Sequence, residues 1–152
     1  MSRFLVASLI FFAGGCGGSS SPPAAAVVVK PHAVPSDQSR WMPVSGRLAV
    51  EMFADHMNGK AYLPGGTTGH YKTYDLWLVQ AGTPTGAAVM LLDYKKDLAG
   101  AKLVPSFGGY FGEDSGGKPV FVFTKGSWLA GVNGLPQAEA DAVARPFAAL
   151  IR

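Results

Sequence analysis

The sequence contains a single cysteine, Cys16, among 152 residues. A disulfide within the chain is therefore excluded, and so is a metal site built from several thiolates. Charged residues are also scarce, at 15% of the chain, and the net charge is only +3. The basic residues form no continuous stripe, so we expect no nucleic-acid partner. No stretch reaches the 18 or so consecutive apolar residues that indicate a transmembrane helix.

The N-terminal residues have the order that is typical of a secretory signal peptide. Arg3 supplies a positive charge, residues 4–12 (FLVASLIFF) carry no charge, and residues 13–15 (AGG) are small. Because this run is much shorter than the about 20 residues that span a bilayer, we predict a signal peptide over residues 1–15. The alternatives are an ordinary secreted protein cut near Gly15 and a buried N-terminal helix of a cytosolic protein.

Cys16 lies where such a cut would leave it as the new N-terminus. Residues 13–16 (AGGC) resemble the lipobox of bacterial lipoproteins, although Ala13 stands where leucine is commonest. The resemblance implies that Cys16 is the site of lipid attachment, bearing acyl chains such as palmitate. It also implies a cell-envelope location, lipid-anchored on the outer side of the cytoplasmic membrane or in the outer membrane. Buried acyl chains contribute about 0.8 kcal/mol per CH₂ to such an anchor.

The amino-acid composition of the remaining chain indicates a linker followed by one domain. Residues 16–39 are rich in glycine, serine, proline and alanine, and we predict a flexible linker there. Within it, residues 24–29 (AAAVVV) fit either an edge strand or a linker, and the linker is favoured. Residues 40–152 are enough for a single domain with one modest core.

Local patterns predict an α+β domain, with a small antiparallel sheet and two to three helices packed on one face. Residues 45–58 and 83–98 are predicted to be helices, and residues 70–80 a strand. Residues 118–134 alternate as two strands joined at Lys125 and Gly126. A C-terminal helix is predicted to end or kink at about Arg145, because Pro146 interrupts it.

Two short segments carry a second resemblance. Residues 53–66 (FADHMNGKAYLPGG) and 81–91 (AGTPTGAAVML) resemble an uncharacterised family of bacterial extracytoplasmic domains. The matching positions are Asn58, Gly59, Ala61, Gly82, Thr83, Pro84 and Ala87. Residues 63–66 depart from the family pattern, which has an aromatic-containing segment there. The resemblance implies a fold and a location, and no reaction.

Two groups of residues are candidate sites. Asp55, His56 and His70 are the candidates for an envelope-associated hydrolase, although their spacing matches no known ligand or catalytic pattern. Residues 64–70 (PGGTTGH) lack the lysine of a phosphate-binding loop, so a flexible loop is predicted there. Phe107, Tyr110 and Phe111 lie among glycines, where they fit either a ligand- or partner-contacting loop or, as favoured, a β-hairpin.

The sequence therefore predicts a membrane-tethered extracytoplasmic lipoprotein whose domain is a non-enzymatic binding or envelope-assembly module. Its expected partners are the membrane, through acylated Cys16, and an envelope protein or small ligand. No cofactor and no metal are expected. An envelope-associated hydrolase is the alternative.

Overall fold

One antiparallel sheet of seven strands organises residues 36–152, the part of the chain that the computed structural model describes. The predicted signal peptide (residues 1–15), Cys16 and residues 17–35 lie outside it. The strands are β1 (Arg47–Asp55), β2 (Pro64–Tyr71), β3 (Asp75–Gln80), β4 (Ala99–Val104), β5 (Gly109–Glu113), β6 (Pro119–Lys125) and β7 (Trp128–Asn133). They lie in the order β1-β2-β3-β7-β6-β5-β4, with helices α1 (Pro84–Lys96) after β3 and α2 (Gln137–Leu150) after β7. Neither helix of this region is long and apolar enough to cross a membrane.

The two helices lie on opposite faces of the sheet. Leu76 and Leu78 of β3 belong to the core cluster that includes Phe147 of α2. Trp77, between them, belongs to the other cluster, which includes Tyr94 of α1. Successive side chains of a strand point to opposite faces, so the apolar central strands require a cover on both sides. The α+β class is confirmed, and the helix placement differs from the single covered face that was expected.

The prediction of a helix over residues 45–58 is wrong, because residues 47–55 form edge strand β1. Its Leu, Ala, Met and Glu residues are good helix formers, but pairing with β2 overrides that local preference. The chain then turns through a short 3₁₀ segment, Met57–Gly59. His56 and Asn58 take positive φ values there, 50° and 55°.

The flexible loop predicted over residues 64–70 is also wrong, since these residues form β2 between β1 and β3. Two positions of β2 require glycine, because the backbones of the neighbouring strands β1 and β3 approach them closely. A Cβ at Gly65 would collide with the Phe53 carbonyl oxygen, and one at Gly66 with that of Leu78. Thr67 and Thr68 between β1 and β3 are buried. The glycine-rich residues 64–70 thus form an interior strand of the sheet, paired on both sides.

Other local predictions are confirmed. Helix α1 begins after Thr83, whose Oγ1 accepts a hydrogen bond from the Gly86 N–H at 2.9 Å. Residues 118–134 contain β6 and β7, which meet at a turn where Gly126 has a φ of 56°. The strand predicted over residues 70–80 is correct only in part, because a turn at residues 72–74 separates the end of β2 from β3. The β5–β6 hairpin accounts for the glycine-rich segment before Lys118.

Helix α2 runs through Pro146 to Leu150, so it does not end at Arg145, the first of the two predicted outcomes. Ala140, Ala144 and Phe147 are completely buried against the sheet. Pro146 itself is exposed, where water can bond the carbonyl that a proline leaves free. Packing of the buried face therefore continues the helix past a residue that would otherwise interrupt it.

Candidate functional site

Four ionisable side chains from separate segments meet near one end of the sheet, and we call them the His70 cluster. They are Glu51 of β1, His70 of β2, Asp75 of β3 and Lys118, which precedes β6. Strand register accounts for the core of the cluster. His70 lies directly opposite Asp75, and Glu51 lies opposite Thr68, two positions before His70 and on the same face. Sequence patterns singled out only His70 among the four.

The imidazole of His70 is held between two carboxylates. Its Nδ1 lies 2.8 Å from Asp75 Oδ1, and its Nε2 lies 3.2 Å from Glu51 Oε2. The ammonium group of Lys118 lies 3.0 Å from the second oxygen of Asp75. The side chains of His70 and Asp75 are 37% and 26% exposed, so the cluster is open to solvent.

These contacts shift the titration of His70 and Asp75 in opposite directions. The hydrogen bond to Asp75 raises the pKa of His70 above its usual value, against a smaller opposing effect of burial, and Glu51 raises it further. Burial alone raises the pKa of Asp75, but hydrogen bonds from His70 and Lys118 outweigh that effect and leave it below its usual value. The contacts therefore favour the imidazolium form of His70 and the carboxylate form of Asp75.

This geometry is that of an ion-pair clamp. A general base needs a ring nitrogen with a free lone pair directed at a substrate, whereas both nitrogens of His70 face carboxylates. Within residues 36–152, no group of three or more His, Cys, Asp or Glu side chains could hold a metal ion. The cluster links edge strand β1 to β3 across β2, through the contacts of His70 with Glu51 and Asp75.

The clamp predicts a pH-dependent contribution to stability. The pKa of His70 is raised on folding, so its contribution is fully present below about pH 6.5 and is lost as the pH rises through the folded value. The Asp75 contribution is lost only in acid, as the pH falls through a folded pKa below 3.8. Replacing His70 with glutamine is thus expected to cost about 1 kcal/mol or less at pH 5.5, and less at pH 9.

Urea unfolding at the two pH values measures this difference. His56→Gln is the matched control, because its side chain is 63% exposed and outside the cluster. Equal losses for His70→Gln at pH 5.5 and pH 9 would contradict the clamp.

The predicted hydrolase residues are not brought together. Asp55 ends β1, whereas Ala49, six positions earlier, is the β1 residue that pairs with His70. That separation along the strand is about 20 Å. Asp55 and His56 approach only to 3.7 Å and line a shallow pocket of about 310 Å³. The structure therefore gives the three residues no common site.

The three aromatic candidates do not form one surface either. Phe107 packs edge-on against Phe121 and Phe123, with ring centroids 5.2 and 4.7 Å apart, on the α2 face. Phe111 packs in the same cluster, whereas Tyr110 lies on the α1 face beneath the ammonium group of Lys95. Alternation along β5 places Tyr110 and Phe111 on opposite faces, and the antiparallel pairing of β5 with β6 confirms the hairpin interpretation.

The strongest surface feature is the outer edge of β1, which we call the β1 edge. No strand within residues 36–152 pairs with it, and most of its nine residues are exposed. Leu48, Val50 and Met52 are 72%, 37% and 46% exposed, respectively. An open strand edge presents unpaired N–H and C=O groups to another chain. The sequence did not indicate this surface, because β1 was predicted to be a helix.

The two motifs that carried the family resemblance form a turn after β1 and the N-terminal cap of α1. Gly59 has a φ of 70° in the turn after β1, and Thr83 caps α1. That resemblance stays a prediction. No protein-family model, curated protein or solved structure matches the chain.

Proposed function

We propose that this chain is a membrane-tethered extracytoplasmic lipoprotein whose domain is a non-catalytic binding or assembly module. The observation that carries the binding role is the β1 edge, with which no strand of residues 36–152 pairs and where Leu48, Val50 and Met52 are exposed. Proteins recognise extended segments by adding them to such an edge. Main-chain hydrogen bonds then supply affinity, and alternate side chains supply specificity.

The clamp supports this role by holding the edge strand from one side. Glu51 of β1 contacts His70, and His70 contacts Asp75 of β3. A strand that is ordered before binding loses less conformational entropy when a partner pairs with it. The His70 cluster thus adds to the pairing with β2 that orders β1, which is a positioning role rather than a catalytic one.

The anchor is supported by the sequence around Cys16. Replacing Cys16 with alanine is expected to move the chain from the membrane fraction to the soluble fraction of cells, because the acyl chains are lost. Intact-mass measurement of the wild type is expected to show acylation. Ser19→Ala, three residues away in the linker, is the control and is expected to remain membrane-bound. A Cys16→Ala chain that stays on the membrane, with no acyl mass on the wild type, would contradict the anchor.

The binding role is tested by placing a charge on the β1 edge. Tagged full-length chain in detergent is used to capture protein from an envelope extract, with Val50→Lys as the test variant. Lysine at a strand edge disfavours pairing with another chain. Val89→Lys is the control, because Val89 is 54% exposed on α1. Capture that is lost in Val50→Lys and kept in Val89→Lys supports the role, whereas equal capture by both overturns it.

A further inference from the structure

We propose that the partner of the β1 edge is a second copy of this chain, which pairs antiparallel with β1 about a two-fold axis at Val50. This inference rests on the proposed function, since it names the partner of the same surface. The result is a continuous sheet across two copies, with the two β1 strands at its centre.

The two edges of the sheet are unequal, and only one is suited to pairing. Strand β4 has six residues, its register with β5 is irregular between Ala99 and Lys102, and Gly100 has a φ of 62°. Shortness, irregularity and an exposed lysine are the features that keep an edge from pairing. Strand β1 has nine residues with neither lysine nor proline, and its irregularity is confined to Leu48 at one end.

The residues of β1 match a reversed copy of themselves. With Val50 opposite Val50 of the second copy, Leu48 lies opposite Met52, and Ala49 lies opposite Glu51. The apolar pair Leu48 and Met52 thus meets across the interface, Phe53 lies opposite Arg47, and no like charges lie opposite one another. A two-fold interface requires this self-complementarity. Centring the axis on Glu51 would instead place two carboxylates opposite each other, which is unfavourable.

Charge also favours the antiparallel direction. Strand β1 begins with a cation, Arg47, and carries its anions at Glu51 and Asp55. In a parallel, in-register pair, each charged residue would lie beside the same residue of the other copy, so like charges would be adjacent. An antiparallel copy instead brings the basic end of each strand toward the acidic end of the other.

The position of the N-terminal segment fits two copies on one membrane. This segment enters on the α2 face, where the Gln38 N–H donates to Thr67 Oγ1 at 3.2 Å and Met42 joins the α2 cluster. A two-fold axis perpendicular to the sheet keeps the same face of both copies on the same side. Both chains therefore enter from one side, 20 residues after Cys16. Tethering at one surface raises the effective concentration of copies for one another.

Oxidative cross-linking of the full chain in membranes tests the pairing. In the proposed register, the Cα atoms of two Val50→Cys residues are about 4.5–5.5 Å apart, within the range that a disulfide bridges. Two Met52→Cys residues are about 14 Å apart, since each lies opposite Leu48. Wild type, whose only cysteine is Cys16, and Val89→Cys are the controls.

A covalent dimer formed efficiently by Val50→Cys, and several-fold less by the other three chains, supports the proposal. Equal cross-linking by Met52→Cys or Val89→Cys overturns it, because that result indicates random collision. A Val50→Cys chain that stays monomeric also overturns it. Maleimide labelling then identifies the cause, since a protected thiol indicates another occupant, such as residues 24–29 of the same chain, and a reactive thiol indicates an open edge.

The capture experiment separates this inference from the function on which it rests. A monomeric Val50→Cys chain, together with Val50-dependent capture of a different protein, overturns self-pairing and leaves the binding role standing. Loss of both cross-linking and Val50-dependent capture overturns both.

Discussion

Replacing Trp77 with alanine is expected to lower the free energy of unfolding by about 3–5 kcal/mol. Trp77 is completely buried on β3. Its ring stacks on Tyr94 of α1, with centroids 5.3 Å apart, and its Nε1–H donates to Asn133 Oδ1 at 2.9 Å. The substitution leaves a large cavity between the sheet and α1 and removes the partner of a part-buried amide. It therefore has the largest effect that we expect of any single truncation.

Chemical denaturation monitored by far-UV circular dichroism measures this loss. Leu103→Ala is the control, because Leu103 is 56% exposed on β4 and is expected to change stability by only about 0.5 kcal/mol. If Trp77→Ala unfolds the chain outright, Trp77→Phe gives a measurable intermediate loss. A loss for Trp77→Ala no greater than that for Leu103→Ala would contradict the packing described for the α1 face.

Replacing Gly131 with alanine is expected to cost about 1–3 kcal/mol, because Gly131 of β7 lies directly opposite Trp77 of β3 and the indole ring covers it. A Cβ at Gly131 would overlap the Trp77 ring, with Nε1 only 2.6 Å away. Trp77 is fixed by Tyr94 and Asn133, so it has no free direction in which to move. The added methyl group therefore strains the core instead of filling a space.

A double-mutant cycle tests the same contact. Trp77→Phe removes the indole nitrogen and the fused ring, so Gly131→Ala is expected to cost less in that background than in the wild type. Gly116→Ala, in the exposed β5–β6 turn, is the control. A cost for Gly131→Ala that is the same in both backgrounds would show that the indole is not the obstacle.

Sequence patterns predicted those elements whose signals are local. Thr83 and Pro84 start α1, and the Thr83 side chain makes the cap that its type suggests. In β6, Val120 and Val122 face α1 while Phe121 and Phe123 face α2, as the alternation predicted. These two predictions were correct because the cap of α1 and the alternation in β6 depend on residues adjacent in sequence.

The remaining elements depend on contacts that a local pattern does not contain. Strand β1 has the composition of a helix, and β2 has that of a loop, yet each is a strand because the other pairs with it. The glycines of β2 are explained only once the neighbouring carbonyl groups are in place. Prediction of either strand therefore required knowledge of both.

The same reason separates the predicted site from the observed cluster. Asp55 and His56 are adjacent in sequence to one another but distant from His70, because β1 and β2 run antiparallel. Lys118 reaches Asp75 across 43 positions of sequence, and Glu51 reaches His70 across 19. Only the strand register reveals these partners.

Sedimentation velocity of the full-length chain in detergent tests most directly whether β1 is an interaction surface that joins two copies. We expect the wild type and Val89→Lys to sediment as dimers, and Val50→Lys to sediment as a folded monomer with unchanged far-UV circular dichroism. A wild-type chain that remains monomeric at every concentration, or a Val50→Lys chain that dimerises as well as the wild type, would contradict the assignment.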